Sequence, residues 1–395
     1  MSKLFRTIVC SYYVVKVVHN QHPVIGASIE NKFHSWSAEH NKKYTTEAER
    51  HLRLQNWLKT DDKIRQHNAK YKSGESTYYM GHNEYSDMTP EEFAAHFNLH
   101  SYVESPLEEV EKIMGISDTS KFNQQISSLR TVKSTGRGLR TTSNSVTQDV
   151  PEVDWVAAGI VTDVKNQQSC GSCWAFAATA GMESKRALFI EKNGIADADK
   201  LVSLSEQEMV DCASAETGNY GCNGGWPKDA IAKYVKANGG LCTEADYPYE
   251  NTDTNGCRSG GCAKVPYTIF GGAKYLYKHT QNVRDAEQLL AAIQNEPYML
   301  AVIAEPYDEW MSYAGGIFSP TGECGLPDQT PVNHAMLLVG TGTDENGPYY
   351  KFKNSWGAGW GDAGFIKFPA DPTLKDHDGP CGMLRYIMYA LDPTA

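Results

Sequence analysis

The stretch KNQQSCGSCWAF, residues 165–176, sets Cys170 and Cys173 three positions apart and follows the second with Trp174. Two cysteines at that spacing hold a metal, form a redox pair or do unrelated work. Structural zinc sites join one C-x-x-C to a second or to a histidine pair, and the chain has no second C-x-x-C. A redox pair at a helix start accounts for the spacing, but not for the odd cysteine total around it or for Trp174. A nucleophile needs a base to take the thiol proton, a group to orient that base and a donor for the oxyanion. His334 before AMLLVGTG, Asn354 in NSWGAGWG and Gln167, six residues before Cys173, are of the right types. Singly each has a plainer explanation, His334 as a core histidine and Asn354 as a turn residue.

The elements that must position these residues can be read from their surroundings. SCWAFAATAGMESKRALFI is expected as a largely buried helix beginning near Ser172, which puts Cys173 where the helix dipole favours a thiolate. SLSEQEMVDC reads as a shorter helix capped by Ser203 or Ser205. YMLAVIA, HAMLLVGTG, PYYKFKNSW and GFIKF read as strands separated by Gly-rich turns. The half with the chemistry is therefore helix-rich first and strand-rich second.

The 395 residues suit two domains, and the net charge of −11 offers no footing for nucleic-acid phosphates. Residues 150–395 carry 31 Asp+Glu against 18 Lys+Arg, whereas residues 1–149 carry 17 against 19. Opposite charge on the two halves suggests pieces that attract each other. Nine of the ten cysteines lie between Cys170 and Cys381, a density that points to disulfides formed in an oxidising compartment and leaves one free thiol. Residues 1–28 have the outline of a secretory signal, with Lys3 and Arg6 in front and Gly26, Ala27 and Ser28 behind, although Lys16 and His19 interrupt its apolar middle. No later stretch is long and apolar enough to span a membrane.

Residues 30–72 place Phe33, Trp36, Tyr44, Leu52, Leu54, Trp57, Leu58 and Ile64 at helical intervals, and two helices are expected there. Thr89 with Glu92 has the spacing of a capping box. Residues 101–149 lose periodicity and become rich in Ser, Thr and Gly, with Arg130, Lys133, Arg137 and Arg140 scattered through them. This composition makes a linker open to proteolysis.

Taken together, NQQSCGSCWAF, NHAMLLVGTG and NSWGAGWG resemble the three signature blocks of the papain family of cysteine proteases, cathepsin L-like branch. The resemblance covers residues 150–391. It implies an α+β fold of two lobes, a helical one and a β-barrel-like one, with a catalytic cleft between them. It further implies Cys173 as nucleophile paired with His334, Asn354 orienting the imidazole, Trp356 shielding that contact, and Gln167 in the oxyanion hole. Disulfides Cys170–Cys222, Cys212–Cys257 and Cys324–Cys381 follow from the same resemblance. Cys242 and Cys262 are then left to pair, with Cys173 free. No metal and no cofactor is expected.

Glu49, Arg53, Trp57, Thr60, Ile64 and Asn68 are similar to the ERFNIN motif of cathepsin L-like propeptides, with Thr60 in place of the usual Asn. Their spacing puts them on one helical face, where Glu49 and Arg53 can pair. Gly81, Asn83, Tyr85 and Asp87 match the second motif of those propeptides, with Tyr for Phe. The expected organisation is a signal over 1–28, an inhibitory propeptide over 29–100, an activation linker over 101–149 and a peptidase domain over 150–395. Acid is expected to weaken propeptide docking by protonating carboxylates such as Asp87, so that the enzyme cleaves its own linker.

GCNGGWP resembles the family's substrate wall, implying that Gly225 pairs with the peptide backbone. Trp226, Pro227, Ala301, Val332, Asn333 and Ala335 would border the pocket for the second residue before the cut, with Tyr386 at its floor. A hydrophobic residue is expected there. No histidine pair of an occluding loop is present, which favours endopeptidase activity. Implied partners are protein or peptide substrates, the chain's own propeptide and cystatin-like inhibitors, acting on a monomer in a lysosome or vacuole, or outside the cell. The other class weighed is a papain-fold protein that has lost catalysis and serves in binding or storage. Gln168, where family members usually have Gly, has no explanation at the level of sequence.

Overall fold

The computed structural model describes residues 23–99, 150–196, 199–213, 215–266, 268, 270–276, 285–320, 324, 331–374 and 378–393. The expected signal residues 1–22 and linker residues 100–149 lie outside this set. The chain divides into two compact units, residues 1–54 and 55–395.

In the first unit, helix α1 (Pro23–Glu39) stacks Phe33 on Trp36 at 5.7 Å, and Tyr44 lies 6.0 Å from Phe33. The first turns of α2 (Glu47–Ser73) set Arg50 2.8 Å from Glu30. The Glu49 carboxylate accepts both the hydroxyl and the N–H of Thr45 at 2.7 Å. These bonds, and then the charge of Arg53 one turn on, hold Glu49 below the usual carboxylate range.

The rest of α2 opens the second unit and lies beside strand β1 (Tyr78–Met80). Asn68 reads the strand's backbone with both ends of its amide, Nδ2 donating to Met80 O and Oδ1 accepting from Met80 N, each at 2.8 Å. Trp57 stacks on His82 at 4.4 Å, Thr60 is buried and Ile64 enters the core. Thr89 caps α3 (Pro90–His96) with the capping box its spacing predicts.

Helix α4 (Cys173–Lys192) is buried along most of its length and packs on α5 (Glu206–Cys212), whose cap is Ser205. A helical run from Pro227 to Asn238 follows, with a π-type stretch at Ala230–Val235. The second half carries β3 (Ala273–Tyr275), α6 (Ala286–Ala292), β4 (Tyr298–Val302), α7 (Tyr307–Ser312), β5 (Tyr313–Gly316), β6 (His334–Asp344), β7 (Gly347–Lys353), β8 (Phe365–Pro369) and β9 (Ile387–Ala390). Among the described residues the order β3-β9-β4-β6-β7-β8 is antiparallel throughout, and β2 (Val153–Asp154) pairs with β6. This is the α+β, two-lobed arrangement expected, with α4 packed against β6.

β1 pairs antiparallel with β5, Tyr78 opposite Gly316. A Cβ on Gly316, whose φ is +82°, would lie 2.5 Å from Thr77 O, so the close approach of the two strands requires glycine there.

Candidate active site

Cys173 stands at the first turn of α4, His334 at the first residue of β6, and Asn354 just beyond the end of β7. Three elements far apart in sequence thus converge on one pocket. Cys173 and His334 line it together with Gly225, Trp226, Pro227, Ala301, Val332, Asn333 and Ala335. Tyr386 does not line it. Its ring packs edge-on against Trp226 at 5.0 Å, against the same apolar cluster as Val332.

The histidine's tautomer follows from its neighbours. The backbone N–H of Ser355 donates to Asn354 Oδ1 at 2.8 Å, which fixes that atom as an acceptor. His334 Nε2 lies 2.7 Å from the same oxygen and must therefore donate to it. Nδ1 then carries the lone pair, buried and without a hydrogen-bond partner. Trp356 covers the arrangement, its ring 4.6 Å from the imidazole. Burial, opposed by the Asn354 contact, brings His334 down to about 4. Burial likewise pushes the half-buried Cys173 thiol up to about 11, against hydrogen bonds from Ala335 and Trp174 backbone.

Gln167 is fully buried. Its Nε2 donates to Cys170 O at 3.0 Å and its Oε1 accepts from Ser355 Oγ at 2.7 Å, leaving one amide N–H for another acceptor. Ser355 was not singled out in the sequence, although it sits beside Asn354 in the same block. Gln168 has φ +52°, with its N–H on Asn166 Oδ1 at 2.8 Å. The turn into the Gln167 loop is left-handed, which explains why Gly suits this position and why Gln is the more strained choice.

Sulfur bridges join Cys170 to Cys222, Cys212 to Cys257, Cys242 to Cys262 and Cys324 to Cys381, and Cys173 is free. Glu208 with Cys242 and Cys262 forms a group of potential metal ligands, but these two sulfurs are joined to each other and Lys264 Nζ pairs with Glu208. A disulfide offers no thiolate, so this group does not suit a metal.

The segment after β1 lies over the site. Gly81 N donates to Ser312 O at 2.9 Å and Asn83 Nδ2 to Met311 O at 2.7 Å. The Tyr85 hydroxyl donates to Trp356 O at 3.1 Å, and Asp87 is buried with its carbonyl accepting from Asn56 Nδ2. Phe93 meets the Trp356 ring edge-on at 5.2 Å and Phe97 stacks on it at 4.7 Å. Phe97 and Asn98 reach the pocket of Cys173, where Asn98 Nδ2 donates to Cys222 O at 2.8 Å. Substrate would have to displace this segment.

A model described as papain family cysteine protease matches residues 150–391, and one described as cathepsin propeptide inhibitor domain (I29) matches residues 33–93. Cathepsin L1 of Drosophila melanogaster is 31% identical over 372 residues, covering 92% of this chain and 85% of that protein. The structure of recombinant stem bromelain precursor superposes with a TM-score of 0.68 at 28% identity, over 93% of this chain and 100% of that one. Digestive procathepsin L 3 of Tenebrio molitor larval midgut gives 0.66 at 29%, over 92% and 99%.

Proposed function

Since the chain belongs to the papain family of cysteine proteases, carries that family's inhibitory propeptide and is a cysteine-type endopeptidase, we propose that Cys173 and His334 perform its chemistry. The observation that carries this reading is the unpartnered Nδ1 lone pair of His334, in one pocket with the free thiol. Once the propeptide leaves, the Cys173 proton moves to Nδ1 and the imidazolium keeps its bond to Asn354. The thiolate attacks the peptide carbonyl, and the spare N–H of Gln167 with the N–H of Cys173 holds the oxyanion. His334 returns the proton to the departing amine, leaving a thioester. Water, deprotonated by His334, then hydrolyses the thioester and frees the thiol.

Trp226, Pro227, Ala301, Val332 and Ala335 support a hydrophobic residue at the second position before the cut. The residues lining the pocket include no Asp or Glu among those described, so it offers little to a basic residue. Residues 29–100 act as the inhibitor and residues 101–149 as the cleaved linker, with 150–395 the peptidase. Four disulfides and an acid-released latch suit a lysosome, a vacuole or secretion. The test is a fluorogenic dipeptide assay across pH 4–7 on the full chain, before and after acid treatment. Activity should emerge only after acid, favour Phe or Leu over Arg at the second position, and be absent from Cys173→Ala. If purified Cys173→Ala is trimmed as completely as wild type at low pH without added protease, self-processing is excluded.

A further inference from the structure

Along α4 from Cys173, beside Lys353 and Asn354, lies a buried ion cluster that the chemistry above does not use. Lys165 Nζ donates to Glu183 Oε1 at 3.0 Å and to Glu206 Oε1 at 2.7 Å. Thr179 Oγ1 donates to the same Glu206 oxygen at 2.5 Å. Thr162 joins Glu183 to Lys353, the residue before Asn354, through a Lys353 contact of 2.9 Å. Glu244 packs against Glu206 from the loop after Cys242 and accepts the N–H of Tyr249 on Oε1 at 2.8 Å.

Two observations about this cluster do not balance while every group is ionised. Lys165 and Lys353 face Glu183, Glu206 and Glu244, which leaves one negative charge in excess. Glu206 Oε2 and Glu244 Oε2 are both buried without a hydrogen-bond partner, and a buried carboxylate oxygen left unpaired is costly. One proton resolves both.

We propose that Glu206 and Glu244 share a proton between their Oε2 atoms, and that this acid–carboxylate pair is a positioning element for the oxyanion side of the active site. The connection runs through Tyr249. Its N–H is held by Glu244, while its hydroxyl donates to Gln167 O and lies against Ser172 Oγ, each at 2.7 Å. Tyr249 thereby ties the residue that offers the oxyanion amide to the residue before Cys173. Burial and the neighbouring Glu206 charge hold Glu244 up at about 7, with Lys165 and the Tyr249 N–H opposing. Burial raises Glu206 in spite of Lys165. Burial would also raise Glu183, but Lys165 and Lys353 hold it below the usual range and so fix it as the cluster's permanent anion. When the shared proton leaves, two carboxylates of like charge face each other, and Glu244, the less buried of them, moves away and loosens Tyr249.

The sign follows from the unfolded reference. The folded chain binds this proton more tightly than the unfolded one, so its contribution to stability is complete below the ordinary carboxyl range and is lost as pH rises through about 7. The inference rests on the Cys173 reading, and the tests separate the two. In the full chain carrying 13C-labelled glutamate, an infrared band of a protonated carboxylic acid is expected at pH 6, where free carboxyls are ionised, and is expected to vanish by about pH 8. Absence of that band at pH 6 overturns the shared proton whatever the nucleophile is. In the acid-activated enzyme, kcat of wild type is expected to fall severalfold from pH 6 to 8 with KM little changed. Glu244→Gln, whose amide donates to Glu206 permanently, should flatten that fall, and Glu244→Ala should be slow at every pH. Parallel profiles for wild type and Glu244→Gln, or identical profiles for the Gln and Ala variants, overturn the positioning role. If thiol labelling misses Cys173 while the band is present, the catalytic reading fails and the shared proton stands.

Discussion

The wall carrying Cys173 is held largely by buried ions, whereas the wall carrying His334 is held largely by rings. Lys165 holds Glu183 of α4 and Glu206 of α5, and Cys170–Cys222 pins the loop before Cys173. Around Trp356, by contrast, Trp360 approaches at 4.9 Å, Trp310 at 5.8 Å and Phe97 at 4.7 Å. The apolar core containing Trp356 also contains Ile64, Tyr78, Met80, Tyr85, Phe93, Phe97 and Leu99, while among the described residues the core around Trp174 contains none of residues 55–99. The covering segment is therefore an extension of the aromatic wall, laid across the mouth of the ionic one. In the proposed mechanism this division gives latency to dispersion and burial on one side, and the geometry around Cys173 to charge on the other.

The largest effect that could break this division is on the chemistry itself. Cys173→Ala and His334→Ala are expected to lower kcat/KM of the activated enzyme roughly a thousandfold or more. Next comes the aromatic wall. Phe97→Ala removes a buried ring, a loss of about 3–5 kcal/mol in a well-packed core. It should raise hydrolysis by the unprocessed chain at neutral pH at least tenfold while leaving the processed enzyme unchanged. No rise in the unprocessed chain would show that the ring does not hold the cover in place.

The pH dependence of release sharpens the same contrast. In the covered site burial holds His334 at about 4 against its ordinary 6.5. Only a proton that the uncovered imidazole takes from solution, over and above the one passed to it from Cys173, makes falling pH favour release in that range. Activation followed by residual intact chain should therefore steepen below about pH 6, and a pH-independent rate would remove His334 from the latch. Two small effects close the series. Lys63 and Asp308 form a partly exposed ion pair between α2 and α7, and Lys63→Ala should change the activation rate no more than about fivefold, less at high salt. Gln168→Gly relieves the left-handed strain but adds backbone entropy to the unfolded chain, for a net gain under about 1 kcal/mol in thermal unfolding.

Much of this was legible in the residues, for physical reasons that differ by element. Continuous apolar runs marked β4 and β6, which are buried along nearly their whole length, and alternation marked β7 and β8, which bury alternate residues. Thr89 and Ser205 announced helix starts through their side-chain chemistry. Gln167, Cys173, His334 and Asn354 stood in distinctive blocks, and the pocket brings the thiol and imidazole together. What escaped were relations set only in space. Tyr249 sits 76 residues after Cys173, with nothing in DYPYE to tie it to Gln167. Nothing in SLSEQEM or LCTEADY marks Glu206 and Glu244 as buried. Gln168 needed a backbone angle, and the contact of Tyr386, expected at the pocket floor, with Trp226 is set only in space.

The account is tested most directly by a thiol-directed epoxide applied to the full chain before and after acid treatment, with the labelled residue mapped by mass spectrometry. Before acid the covered thiol, held neutral, should stay unmodified. After acid Cys173 alone should be labelled, one group per chain, with hydrolysis lost in proportion. Labelling at any other residue, or hydrolysis surviving full modification of Cys173, would contradict it.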